Sequence, residues 1–209
     1  MEAKYNLFAG GSLERLAALS DGVFAVAMTL LVLDVHVPEV HGVHGEGDLL
    51  RALAELTTRL IPWVMSFMTL GIFWVGQQTQ LNLLARSDRH LAWIHLAFLL
   101  AVSLTPFSTA LLAQFITFRV ALIVYWLNIL ALGALLYAGW KYARHAQLLE
   151  AGVSDATSAA VERRIVVAQM LYALGAASCA LNTYASIAFI VVVQLNYAIA
   201  PRIRGLDRL

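Results

Sequence analysis

Long apolar segments recur along the whole of this 209-residue chain, near residues 13 to 36, 56 to 82, 91 to 114, 118 to 142, 164 to 182 and 184 to 201. A hydrocarbon layer about 30 Å thick is crossed by roughly 20 helical residues. Inside that layer no water satisfies a loose backbone group, so each segment is restricted to a closed helix. The expected fold class is therefore all-α: a polytopic membrane protein with six transmembrane helices, forming a single domain over residues 1 to 209. The composition agrees, with 61% hydrophobic and 13% charged residues against roughly 45–50% and about 25% in soluble domains. The first apolar run begins late and is followed by no small-residue cleavage site, so the first span is expected to be retained.

The cations set the expected orientation. Lys4, Arg15, Arg86, Arg89, Lys141, Arg144, Arg163, Arg164, Arg202, Arg204 and Arg208 fall on one side of the six spans; Arg51, Arg59 and Arg119 fall on the other. By the positive-inside rule both termini face the cytoplasm. The net charge is only +1 and the basic residues form no single stripe, so no nucleic-acid partner is expected. Cys179 is the sole cysteine, which rules out an intrachain disulfide and marks a small core residue.

Trp63, Trp74, Trp93 and Trp140 lie toward span ends, where indole rings favour the headgroup level. Pro106 removes one hydrogen bond from the third span and predicts a kink, with Ser103, Thr105, Ser108 and Thr109 at hand as replacement partners. Ala173, Gly175, Ala176, Ala177 and Ala180 predict close helix approach in the fifth span, and Asn182-Thr183 a tight hairpin into the sixth. Residues 143 to 163 read as a helix pair or turn, and Pro38 to Asp48 as an outer loop. No internal repeat relates the spans, so a transporter of matched halves is not supported.

The first helix carries the most informative run. Arg15, Ser20 and Asp21 sit at its mouth, where ionisable groups are costly and serve ion paths or internal pairs. Beyond Gly22, Val26, Thr29 or Leu30, and Leu33 share one face. Such a stripe suits packing against other helices, or a narrow pore whose apolar rings gate by expelling water. Asp34 lies at the opposite end. Thr29 is open to two readings: a polar contact in the stripe, or a hydroxyl bonded to its own preceding carbonyl.

The run from Arg15 through Leu19-Ser20-Asp21-Gly22-Val23-Phe24-Ala25-Val26-Ala27-Met28-Thr29-Leu30-Leu31-Val32-Leu33 resembles the signature of the transmembrane protein 175 family, potassium-selective channels of lysosomes and prokaryotes. Two positions depart from the pattern: Leu19 stands where the family has phenylalanine, and Trp74-x-x-Gln77-Gln78 stands where relatives often carry histidine. The resemblance implies a homotetramer in the prokaryotic cell membrane, with the first helix of each subunit around a central pore and potassium as the permeant ion. It carries over Val26, Leu30 and Leu33 as constrictions, Thr29 as a pore polar contact, and Arg15, Ser20, Asp21 and Gly22 as a brace. No Thr-Val-Gly-Tyr-Gly run is present, so selection would fall to the apolar rings. No cofactor and no catalytic role are expected.

Other constellations point elsewhere. His36, His41 and His44, near Glu39, Glu46 and Asp48, contain suitable metal ligands in a Gly-rich loop that makes a poor cage; a pH-sensitive outer mouth is the other reading. His90, His95 and His145 show no ligand spacing. A proton path through Asp21 is a second function class, and a silent scaffold or an intramembrane enzyme a third, although Ser20 beside Asp21 gives no nucleophile–base geometry. Asn128, Gln194 and Asn196 are expected to bond between helices.

Overall fold

The structure is a computed structural model that describes residues 12–35, 37 and 44–199. Its elements are α1 (Leu13–Leu30) with a 3-10 turn at Leu31–Asp34, α2 (Glu46–Glu55), α3 (Thr57–Leu81), α4 (Arg89–Ser103), α5 (Thr105–Gln114), α6 (Arg119–His145), α7 (Asp155–Ala177) with a 3-10 turn at Ser178–Ala180, and α8 (Thr183–Ile199). Among the described residues four helical segments are long and apolar enough to cross a membrane: Leu13–Leu33, Arg59–Leu81, Arg89–Gln114 and Arg119–His145. Thr183–Ile199 is a shorter apolar helix. The start of α7 is polar, through Asp155, Glu162, Arg163 and Arg164, which leaves a shorter apolar run in its second half. The protein is an integral membrane protein built of helices.

Helix starts follow local chemistry. Ser12 caps α1 by accepting from the Arg15 backbone N–H, and Ser154 caps α7 by accepting from that of Thr157. Such caps supply acceptors that a first helical turn cannot find within itself. Asp88 does the same for α4 at Leu91, 2.8 Å away. Its other oxygen accepts from the Tyr142 hydroxyl at 2.6 Å, tying the start of α4 to the end of α6.

The third span is divided, not merely bent. Leu104 separates α4 from α5, and Pro106 occupies the first turn of α5, where a missing N–H is tolerated. Asn128 on α6 donates to the Ala101 carbonyl at 2.9 Å and accepts from the Thr105 hydroxyl at 3.0 Å. Thr109 turns back to the Thr105 carbonyl and also donates to Ser66 on α3. The break is thus stitched to two neighbouring helices.

Around this core α1 packs on α3 and α4, while α6 joins α4, α5 and α7, and α8 closes against α3 and α7. Gly175 permits the α7–α8 approach: a Cβ there would lie 2.9 Å from both Ile190 and Phe189. Ser186 donates across the same contact to the Gly175 carbonyl. Gln194 reaches Thr69 on α3 at 2.6 Å, whereas Asn196 is exposed. Cys179 is buried and free.

Three expectations need revision. The outer loop does not extend to Asp48, because α2 begins at Glu46 with Glu46 and Asp48 in its first turn, where carboxylates complement the helix dipole. Of the two readings for residues 143 to 163 the turn holds and the helix pair does not: α6 ends at His145, Gln147 takes a positive φ of 55°, and α7 starts at Asp155. Trp140 is buried at 1% exposure, unlike Trp93 at 64%, so it is a core ring and not part of an interfacial belt.

Candidate pore helix and its polar anchor

Helix α1 has two unlike faces. Leu16, Ser20, Phe24 and Ala27 are buried within α1, and Leu31 continues their line. Their spacing of three and four residues is one helical stripe. On the other side Val26 is 58% exposed, Leu30 42% and Leu33 66%. Only 22% of the apolar window of α1 is buried, against 39% to 44% for the other three membrane-length segments. The helix therefore sits at the edge of the bundle with an apolar face that its own chain leaves uncovered.

Thr29 lies on that open side and donates back to its own helix, to the Ala25 and Val26 carbonyls, both at 2.9 Å. Gly22 is exposed too, and a Cβ added there would meet nothing within 4 Å; packing inside the subunit does not demand glycine. The side chain of Asp34 lies outside the described residues, as do His36, Glu39 and His41. Among the described residues no group of His, Cys, Asp or Glu is arranged to hold a metal ion. His44 uses its backbone N–H on Asp48.

At the base of α1 the polar groups engage neighbouring helices. Ser20 is buried, donates to the Leu16 carbonyl at 2.7 Å, and accepts from Gln77 Nε2 of α3 at 2.8 Å. His95 Nε2 of α4 lies 2.8 Å from the Ser20 hydroxyl and 2.6 Å from Gln77 Nε2. The set is self-consistent when His95 Nε2 acts as an acceptor, since both Gln77 Nε2 protons then point at acceptors. One turn out, Asp21 Oδ1 accepts from Trp74 Nε1 and Gln78 Nε2, both at 2.8 Å. Arg15 is exposed, and the ion pairs among the described residues are those of Lys141 and Arg144 with Glu162 and Asp155. Within one chain Ser20 and Asp21 are thus anchored, and Arg15 is exposed without an ion pair among the described residues.

His95 is the member of this cluster that sequence reasoning missed. It stands 75 residues from Ser20, and no ligand-like spacing singles it out. The usable signal was an ionisable side chain inside an apolar span, which is expensive unless it has partners. Trp74 and Gln78, read as a departure from a histidine-bearing pattern, prove to be the donors to Asp21.

An edge helix with an uncovered apolar stripe, pinned at its base by polar contacts within a bundle of membrane-length helices, defines a polytopic membrane protein. Residues 15–106 match the family described as endosomal/lysosomal potassium channel TMEM175. A potassium channel of Streptomyces collinus is 34% identical over 165 residues, covering 77% of this chain and 79% of the relative. The crystal structure of a lysosomal potassium-selective channel TMEM175 homolog from Chamaesiphon minutus superposes with a TM-score of 0.78 at 28% identity, covering 91% of this chain and 98% of that one. The endosomal/lysosomal proton channel TMEM175 of Gallus gallus is 32% identical over 110 residues, half of this chain (50%) but 22% of the relative. The chain belongs to the TMEM175 family.

Proposed function

We propose that this chain is a potassium-selective channel of the prokaryotic cell membrane, a homotetramer of six-span subunits with both termini cytoplasmic and the first helix of each subunit around a central pore. The observation that carries the reading is the open stripe of α1: Val26, Leu30 and Leu33 are exposed while the opposite face is buried. Four such stripes turned toward one axis would bury the apolar surface of each and leave a narrow passage. Bringing four helices this close favours a small residue at their contact, which gives Gly22 a use that its own subunit does not.

Rings of methyl groups cannot replace an ion's hydration shell, so a constriction at Val26, Leu30 and Leu33 acts as a barrier that dewets readily. Potassium rearranges its water more readily than sodium, and a preference for potassium follows. Thr29 supplies an oxygen beside these rings. The contacts of Ser20 and Asp21 hold the base of α1 on α3 and α4, so that helix-one position, and with it pore width, is set by the rest of the subunit; Arg15 would complete the brace from its outer side.

Proton conduction is the second reading, favoured by the name of the Gallus gallus relative and by the exposed carboxylate of Asp21. Reversal potentials of purified protein in planar bilayers, under separate potassium, sodium and pH gradients, discriminate the two. The potassium reading predicts a reversal potential that follows the potassium gradient. Currents that follow only the proton gradient, or no current at all, overturn it.

A further inference from the structure

We propose that a cleft on the flank of the bundle binds one anionic phospholipid, its phosphate near Arg164 and one acyl chain along the wall between α3 and α7. The cleft encloses about 440 Å³ and is lined by α3, α6, α7 and Tyr197 of α8, with no residue from α1. Small-molecule sites typically measure roughly 300–1,000 Å³. Phe73, Leu136, Val161 and Ile165 make the wall apolar.

Its length matches one leaflet. Ile72 to Gln80 on α3 and Arg164 to Tyr172 on α7 each cover about 12 Å at 1.5 Å per residue, close to half of a hydrocarbon core about 30 Å thick. Arg164 stands midway along the α7 lining and opens its more apolar half, its guanidinium carbon 5.8 Å from the centre of the Tyr197 ring. Among the described residues no carboxylate pairs with it, because Glu162 and Asp155 are taken by Lys141 and Arg144. Basic pockets between membrane helices suit anionic headgroups. Gln80 lines the same cleft at 8% exposure, and its Nε2 has no partner. A buried donor left alone is costly, and phosphate or ester oxygens would accept from it.

The test uses the full-length protein in detergent, exchanged against an equimolar mixture of dioleoylphosphatidylglycerol and dioleoylphosphatidylcholine, with bound lipid counted by native mass spectrometry. The wild type should retain one phosphatidylglycerol per chain. Arg164→Gln should lower the ratio of anionic to zwitterionic lipid about fivefold, the effect of one basic residue at an anionic headgroup. Ala168→Phe should abolish retention of both lipids, and Gly76→Leu fills the cleft from the opposite wall should the first variant fail to fold. Unchanged retention in a folded cleft-filling variant, an unchanged lipid ratio in Arg164→Gln, or a wild type whose cleft is covered by a second copy and holds no lipid overturns the proposal. So does displacement of phosphatidylglycerol by an equal concentration of oleate, which would make a free carboxylate the ligand. Lipid counting needs no current, so it stands apart from the conduction reading.

Discussion

The triangle of Ser20, Gln77 and His95 should reveal itself as redundancy. Its three mutual distances are 2.8, 2.8 and 2.6 Å, with Gln77 Nε2 donating to both others, so removing either acceptor leaves Gln77 one bond. Interhelical hydrogen bonds in membrane proteins average about 0.6 kcal/mol and reach about 1.7, and Ser20→Ala or His95→Leu alone should cost that much. The double variant is different in kind. It strips Gln77 Nε2 of both acceptors while Gln77 stays buried at 1% exposure, and an unsatisfied buried donor costs about 1–3 kcal/mol. The double loss should therefore exceed the sum of the single losses by at least about 1 kcal/mol, a coupling that a double-mutant cycle isolates. Adding Gln77→Leu to the double variant should recover most of the excess, because no orphan remains. Reversible unfolding by sodium dodecyl sulfate in mixed micelles, followed by tryptophan fluorescence, gives the free energies. Strict additivity, or no recovery in the triple variant, would refute the triangle as an energetic unit.

Other consequences are independent of that cycle. Asp21→Ala removes the shared acceptor of Trp74 and Gln78, so channel assembly or gating should suffer more than ion preference; a fully assembled variant with ordinary gating and altered selectivity would mean that Asp21 touches the ion. Leu30→Ser should raise single-channel conductance and weaken the preference for potassium over sodium, and unchanged bilayer currents would remove Leu30 from the pore. Gly175→Val drives a side chain into Ile190 and Phe189, and overpacking of this kind costs about 1–3 kcal/mol, which the same unfolding assay should register.

Much of this architecture was legible because membrane physics writes it into local composition. Apolar length located α1, α3 and α6, and Pro106 with its hydroxyl neighbours announced the break between α4 and α5. Gly175 and its alanines announced the close α7–α8 contact. What stayed hidden depends on which helices meet. Periodicity gives each helix a face but no partner, so His95 could not be assigned to Ser20, nor Asn128 to the Ala101 carbonyl. Trp140 looked like an interfacial anchor by position alone, yet it is buried. Helix α2 was concealed by the glycines that precede it, and the polar start of α7 masked a helix that continues without interruption from Asp155.

The site was legible as residues and illegible as contacts. The run from Arg15 to Leu33 put Val26, Thr29, Leu30 and Leu33 on one side, since i, i+3 and i+4 spacing is a property of any helix, and all four are exposed. That Ser20 meets Gln77 and His95 while Asp21 meets Trp74 and Gln78 depends on the rotation of α1 against α3 and α4. Sequence spacing holds no such information.

Helix one facing a water-filled axis is tested most directly by thiol modification of Leu30→Cys during current recording, with native Cys179 buried. A small, membrane-impermeant cationic thiol reagent should block the current of reconstituted Leu30→Cys and leave the wild type unaffected. Undiminished current, with the introduced thiol labelled only by a lipid-soluble reagent, would place that stripe against lipid and contradict the account.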